Sequence, residues 1–312
     1  MKIIISGPSG FVGSSLVSFL KNLDHQVISL VRKENRDVSN DAKQSNIIFW
    51  DPKSGHLDSS SLEGADAVIN LSGENIHGIW TRAKKLKILE SRLQTTSLLS
   101  KTLANLQRPP KVFVSASGIT YYGNRNSHMV DETSPGGDDF LADVCKQWED
   151  ACNPAKQAGV RTIHLRIGAV LGGSGGMLHN FIPIFKMGLG GKWGTGLQHI
   201  SWVSMDDLLE MMLFMIHDNS ISGPVNAVSP NPVTNYEFTK MLGKIICRPT
   251  IVSIPEALAK LVFGEWIKSV LLANYDVTPK ILLDKKFKFK FTRMEDAIIH
   301  ALNKKDKMMT SL

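Results

Sequence analysis

Cysteine is scarce in this chain. Only Cys145, Cys152 and Cys247 among its 312 residues carry a thiol, an odd number with no CxxC pair. That excludes a disulfide framework and fits a reducing compartment, where thiols serve as small core residues. Metal-ligand spacing is missing as well: the nine histidines form no cluster, so no metal site is expected. Long apolar runs are also lacking. The N-terminal run stops at Ser6-Gly7-Pro8, short of a signal peptide's apolar region, and the stretch from Ile251 to Leu272 is broken by Pro255, Glu256, Lys260, Glu265 and Lys268. A soluble, cytoplasmic protein with no membrane partner is the expectation. Charge of one sign is mild at +7. The basic runs Arg82 to Lys87 and Lys285 to Lys290 are interleaved with apolar residues, which suits solvated faces better than a nucleic-acid surface.

What is present is an alternating texture, with 43% hydrophobic content to build a sizeable core. Short apolar runs at Lys2–Ser6, Gln26–Val31, Asn46–Trp50, Ala67–Leu71, Lys111–Ser115 and Thr162–Ile167 read as strands covered on both faces. Helices fit at Gly10 to Leu23, Thr81 to Leu106 and Phe140 to Gln157. The pattern predicts an α/β fold, a Rossmann-type doubly wound parallel sheet. After Ile167 glycine-dense loops (Gly172 to Gly176, Gly188 to Gly196) take the chain out of the sheet. It is expected back at Ile200–Val203, followed by a helix from Met205 to His217 that starts at Ser204. The expected division is a dinucleotide-binding domain of residues 1–170 and 200–230, a smaller discontinuous substrate domain of 171–199 and 231–302, and a tail of 303–312.

The first loop carries the chemistry. Gly7-x-x-Gly10-x-x-Gly13 stands between a strand and a helix, where its glycines in turn permit a tight turn, close backbone approach to a pyrophosphate, and close helix packing. The helix start offers the free amides of Phe11, Val12 and Gly13 to phosphate. Nineteen residues after Gly13, the second strand runs into Arg32-Lys33. A carboxylate there suits NAD, whereas a basic residue suits a 2′-phosphate, so NADP(H) is the expected cofactor, read by Arg32 with Ser9 nearby.

These residues, with Leu71-Ser72-Gly73 and Ser115-Ala116-Ser117, resemble the extended short-chain dehydrogenase/reductase superfamily. SGENI at Ser72–Ile76, SASGITYYG at Ser115–Gly123, WEDA at Trp148–Ala151 and GTGLQHISWVSMDDL at Gly194–Leu208 resemble its atypical "epimerase family" branch, and the stretch from Pro249 to Leu302 resembles the small domain that ends those proteins. The resemblance implies cofactor contacts at Gly7, Ser9, Gly10, Phe11, Val12, Gly13, Arg32, Leu71, Ser72, Gly73, Ser115, Lys146 and Ile167. It also implies a catalytic Ser117 and Lys146, but four residues before the lysine stands Ala142 in place of the family's acid/base tyrosine. Tyr121 and Tyr122 are the nearest substitutes, and Glu74 a weaker acid/base candidate. Ile200-Ser201 replaces the Arg-Asp pair of nucleotide-sugar members, which argues against a UDP-sugar substrate.

Two functions follow. One is an NADP(H)-dependent oxidoreductase or epimerase-like enzyme acting on an unidentified small molecule, favoured by Ser117 and Lys146. The other is a non-catalytic NADP(H)-responsive binding protein, favoured by Ala142. Pairing of the Thr81–Leu106 helix with the Phe140–Gln157 helix of a second copy would make a homodimer, unless both helices bury their stripes internally.

Overall fold

The computed structural model describes residues 1–32, 46–125, 129–173 and 175–310. Lys33, beside the expected 2′-phosphate reader, lies outside them. Seven strands of the main sheet are β1 (Lys2–Ser6), β2 (Gln26–Arg32), β3 (Ile47–Asp51), β4 (His56–Leu57), β5 (Ala67–Asn70), β6 (Val112–Gly118) and β7 (Arg161–Ile167). The eighth, β11 (Gly223–Ala227), completes the order β11-β7-β6-β5-β1-β2-β3-β4. Every neighbouring pair is parallel except β3 with β4. This is the doubly wound Rossmann arrangement, and its order reverses at β1, between β2 and β5.

Successive residues of a strand face opposite sides, so the run Ile3-Ile4-Ile5 feeds two cores. Ile3 and Ile5 meet Leu16 and Leu20 of α1 (Phe11–Lys21) and Met211, Met212 and Met215 of α6 (Met205–His217). On the other face Ile4 joins Trp50, Val68 and Phe113 against Leu99 and Leu103 of α2 (Arg82–Ala104). The expected Phe140–Gln157 helix is two pieces, α3 (Phe140–Asp150) and α4 (Asn153–Gln157). Pro154 explains the break, since a proline fits only the first turn of a helix. α2 and α3 bury Ile88, Leu99, Leu103 and Leu141, Val144, Trp148 within the chain, although Leu86 stays exposed.

The return at Ile200–Val203 is not to the main sheet. β9 (His199–Ile200) pairs antiparallel with β12 (Val233–Thr234), and β10 (Trp202–Ser204) pairs with β8 (Ala169–Leu171) in a separate two-stranded sheet. Around these lies another apolar core, built on Trp193, Trp202, Phe181, Phe185, Phe238 and Ile298. It draws on α5 (Gly176–Lys186), α7 (Asn235–Ile245) and α8 (Glu256–Val270). The short α9 (Lys280–Asp284) sends Leu282 back to the first core, and α10 (Met294–Thr310) closes the later one. The Asp207 carboxylate, in the first turn of α6, accepts the Lys290 and Phe291 amides and so anchors the basic C-terminal segment. Among the described residues, no helix is long and apolar enough to cross a membrane, and no group of histidine, cysteine and acidic side chains could hold a metal ion.

Candidate functional site

The reversal of strand order leaves a crevice beyond the ends of β1 and β5, and a cavity of about 1200 Å³ opens there. Its shape follows from glycines. Gly7 turns at φ +71°, and a Cβ on it would sit 2.9 Å from the Leu71 carbonyl oxygen. A Cβ on Gly13 would fall 2.0 Å from the Gly7 oxygen, so α1 packs on the turn only because none is there. Gly10 has more room, its nearest neighbour being 3.4 Å away. It begins α1 without any side-chain cap, and the first turn carries no acidic residue to neutralise the positive helix end.

Of the residues expected at a cofactor, Gly7, Ser9, Gly10, Arg32, Leu71, Ser72 and Gly73 line this cavity together. Arg32 is exposed at the end of β2 and, among the described residues, has no carboxylate partner. Asp51, the last residue of β3, shares the wall. Hydrogen bonds from Ser54 and the Lys53 amide hold its carboxyl below the usual range. Sequence reasoning missed that residue, although the end of a third parallel strand is where a dinucleotide crevice must have a wall. Ser115 is elsewhere: its side chain is buried beside Asn70, whose amide nitrogen reaches Ser115 Oγ at 3.4 Å and Thr96 Oγ1 at 2.8 Å. Val12 and Ile167 pack on the core beneath α1.

Phe11 has an unexpected setting. Cβ atoms on Gly172, Gly175 and Gly176 would approach its ring to 2.6, 2.5 and 2.7 Å. These glycines of the loop that leaves the sheet form a sleeve around one aromatic side chain. The other run is also used for packing, since a Cβ on Gly191 would overlap the Val252 carbonyl. Trp80, Trp193 and Trp202 are all buried.

The catalytic candidates are held by a buried network. Ser117 Oγ donates to Glu149 Oε1 at 2.7 Å. Arg166, next to Ser117 in the β6–β7 register, grips the same carboxylate through Nε and Nη2 at 2.8 Å each. Burial opposes the Arg166 charge, yet the Glu149 bonds outweigh it and raise its pKa. The third side of the guanidinium donates to Tyr122 Oη at 3.0 Å, which in turn donates to Asn226 Oδ1 at 2.7 Å. Tyr122 is fully buried, and burial pushes its hydroxyl up to about 12. That commits Tyr122 to the framework rather than to a substrate. Ser117 likewise spends its one proton on Glu149.

Tyr121 differs. Its ring lies over Arg166, 3.4 Å from guanidinium carbon to centroid. A Cβ on Gly136 would be 2.7 Å from Lys146 Cε and 3.1 Å from Tyr121 Cζ, so that glycine is the spacer between them. Lys146 Nζ donates to the Gly137 carbonyl and lies 3.4 Å from Asp143 Oδ1. Ala142 is 0% exposed, so a larger side chain there would have to enter the buried interior. Glu74 is bridged to Lys84 at 2.8 Å and Lys87 at 3.5 Å. The Lys84 hydrogen bond, foremost, holds it below the usual carboxylate range, the wrong direction for a proton donor at neutral pH. Ser201 Oγ is tied to the backbone of Tyr275 and Val277, so the place of the Arg-Asp pair is taken by a fastening to the C-terminal segment.

This arrangement has known counterparts. Epimerase family protein MT2273 of Mycobacterium tuberculosis (strain CDC 1551 / Oshkosh) is 37% identical over 300 residues, covering 96% of this chain and 97% of its own length. Human epimerase family protein SDR39U1 is 32% identical over 302 residues, covering 96% and 98%. The crystal structure of human SDR39U1 (isoform 2) with NADPH superposes at a TM-score of 0.86 and 30% identity, over 97% of this chain and 99% of that one. UDP-glucuronic acid 4-epimerase from Bacillus cereus, solved with UDP-glucuronic acid and NAD, covers 99% of this chain and 100% of its own at 17% identity and a TM-score of 0.74; it shares the fold. The family model for the NAD dependent epimerase/dehydratase family matches residues 3–228. With that match, and with relatives aligned over nearly its whole length, the chain belongs to the NAD dependent epimerase/dehydratase family.

Proposed function

We propose that this protein binds NADP(H) in the crevice at β1 and β5 and acts on a small molecule by hydride transfer. The observation that carries the reading is the cavity itself, which gathers the bare Gly10 backbone, Ser72, Gly73 and an Arg32 with no carboxylate partner among the described residues. The uncapped first turn of α1 binds the pyrophosphate through its amides. Arg32, with Ser9 beside it, pairs with the 2′-phosphate. The NADPH in the human relative's crystal structure supports the same choice of cofactor. Bound in this way, the nicotinamide supplies or accepts the hydride.

The chain's own part is to hold the substrate and move a proton. Residues 171–199 and 231–302 form the substrate side in this reading. Tyr121 is the proton donor, because its neighbour across Gly136 is the Lys146 stem and its ring lies over the Arg166 guanidinium. A second reading is favoured by Ala142, which is sealed in the core, and by the Ser117 proton, which points inward: an NADP(H)-responsive binding protein without turnover.

Two measurements separate the readings. Calorimetric titration with NADPH and NADH tests the site, and NADPH absorbance over a panel of carbonyl compounds tests turnover. Tight NADPH binding with oxidation by any panel member supports the enzyme. Binding with no oxidation across the panel supports the second reading, and failure to bind NADPH defeats both.

A further inference from the structure

The cavity wall at Ser72–Glu74 rests on α2, and Arg92 stands at the centre of that support. Arg92 Nη1 donates to the Glu74 carbonyl and to the Ile88 carbonyl, both at 3.0 Å. Its guanidinium lies against the Trp148 ring at 4.8 Å from the centroid. It also lies directly behind Gly73, where a Cβ would come within 3.1 Å of Cζ and 3.3 Å of Nη2. The rest of the wall is fastened to the same helix: the Glu74 amide donates to Ser91 Oγ at 3.0 Å, and the Glu74 carboxylate is occupied by Lys84 and Lys87.

Among the described residues, no carboxylate pairs with Arg92 itself. Burial pushes the pKa of this half-buried guanidinium below the ordinary arginine value, and the nearby Glu74 carboxylate offsets that only in part. Gly73, which has no side chain, lines the same cavity as Gly10 and has the Arg92 guanidinium at its back.

We propose that Arg92 is a positioning residue of the cofactor site, holding the Ser72–Glu74 wall in place and adding its positive charge behind the wall that an anionic dinucleotide diphosphate would meet. This rests on the NADP(H) reading above. The planar guanidinium matters because it stacks on Trp148 and fits flat under Gly73 while donating to the loop, which an ammonium cannot do.

The experiment titrates NADPH into wild type, Arg92→Met and Arg92→Lys from about 20 mM to about 500 mM salt, with thermal unfolding of each protein alongside. At low salt Arg92→Met should bind NADPH about tenfold more weakly than wild type, the equivalent of about 1.4 kcal/mol. That gap should close as salt rises, because the lost term is a charge. Arg92→Lys should keep the wild-type salt dependence yet bind a few-fold more weakly, since it has the charge without the fit. A purely structural arginine would lower the melting temperature and leave the salt dependence of both variants like that of wild type, which overturns the proposal. Equal NADPH affinity in wild type and Arg92→Lys also overturns it, and this arm holds even if Arg92→Met does not fold. If wild type itself fails to bind NADPH, the cofactor reading is at fault instead.

Discussion

Replacing Arg166 with methionine removes one side chain and strands three partners. The Glu149 carboxylate loses both of its guanidinium bonds, Tyr122 Oη loses its donor, and the Tyr121 ring loses the cation beneath it. The Arg166 and Glu149 side chains are only 4% and 11% exposed, so water cannot replace what is lost without opening the structure. Breaking a buried ion pair from one side costs about 3–5 kcal/mol. In a domain of this size each kcal/mol moves the midpoint by about 2–4 °C, so the melting temperature should fall by about 10 °C. Urea unfolding followed by circular dichroism gives the free energy directly, provided the slope with denaturant stays that of wild type. The double variant Arg166→Met with Glu149→Met is the decisive companion. It exchanges the whole pair for apolar groups and should recover at least half of the loss, because the single variant's penalty is mainly a buried carboxylate left without a cation. A single substitution that costs less than about 1 kcal/mol, or a double no better than the single, would refute this account of the network.

Arg32→Ala should weaken NADPH binding by about ten- to a hundredfold and leave NADH almost unchanged, since a charge-assisted contact is worth roughly 1.5–3 kcal/mol; calorimetry that finds both cofactors equally affected counts against the 2′-phosphate assignment. Ala142→Tyr, which would restore the family's tyrosine in sequence, should instead destabilise the fold by about 1–3 kcal/mol in urea titration, because it adds a phenol ring at a fully buried position. A variant as stable as wild type would show that α3 has more freedom there. Burial raises the Glu132 pKa above its ordinary value, outweighing the backbone hydrogen bonds from Asn226 and Ile281, which pull it down. The folded protein therefore holds this proton to higher pH than the unfolded chain does, and stability falls as pH rises through the raised value. Glu132→Gln should flatten that part of the stability profile, and an unaltered profile would mean that another group is responsible.

Six expected strands and the opening glycine turn were legible because parallel strands covered on both faces are written as uninterrupted apolar runs. β11 was not, for its Gly-Pro-Val-Asn-Ala carries a proline and an asparagine. Pro224 is tolerated since β11 is an edge strand of the sheet, and Asn226 is there for Tyr122 Oη. The loop at Gly172–Gly176 was visible as a glycine run, but a glycine run has the same appearance whether it faces a phosphate or a phenyl ring. The Ser117–Glu149–Arg166 network had no periodicity to announce it. Glu149 comes from α3 and the other two from adjacent strands, so only the pairing register and the docking of α3 bring them together. The missing tyrosine was readable only through the resemblance to a superfamily that places one four residues before Lys146; that Ala142 is fully buried was not readable.

The glycine sleeve around Phe11 has a consequence for anyone who would rebuild this protein. Three backbone positions, some 160 residues downstream, are reserved for the ring that opens α1. They and Phe11 form one unit of exchange: a first loop borrowed from another Rossmann protein without its phenylalanine would leave a hollow lined by bare backbone. A side chain added to any of the three glycines would push on the helix turn that follows Gly10 at the cavity. Redesign of cofactor preference therefore has free choice at Arg32 and Ser9, which sit in the open crevice. At the sleeve it has none, unless both halves are transplanted together.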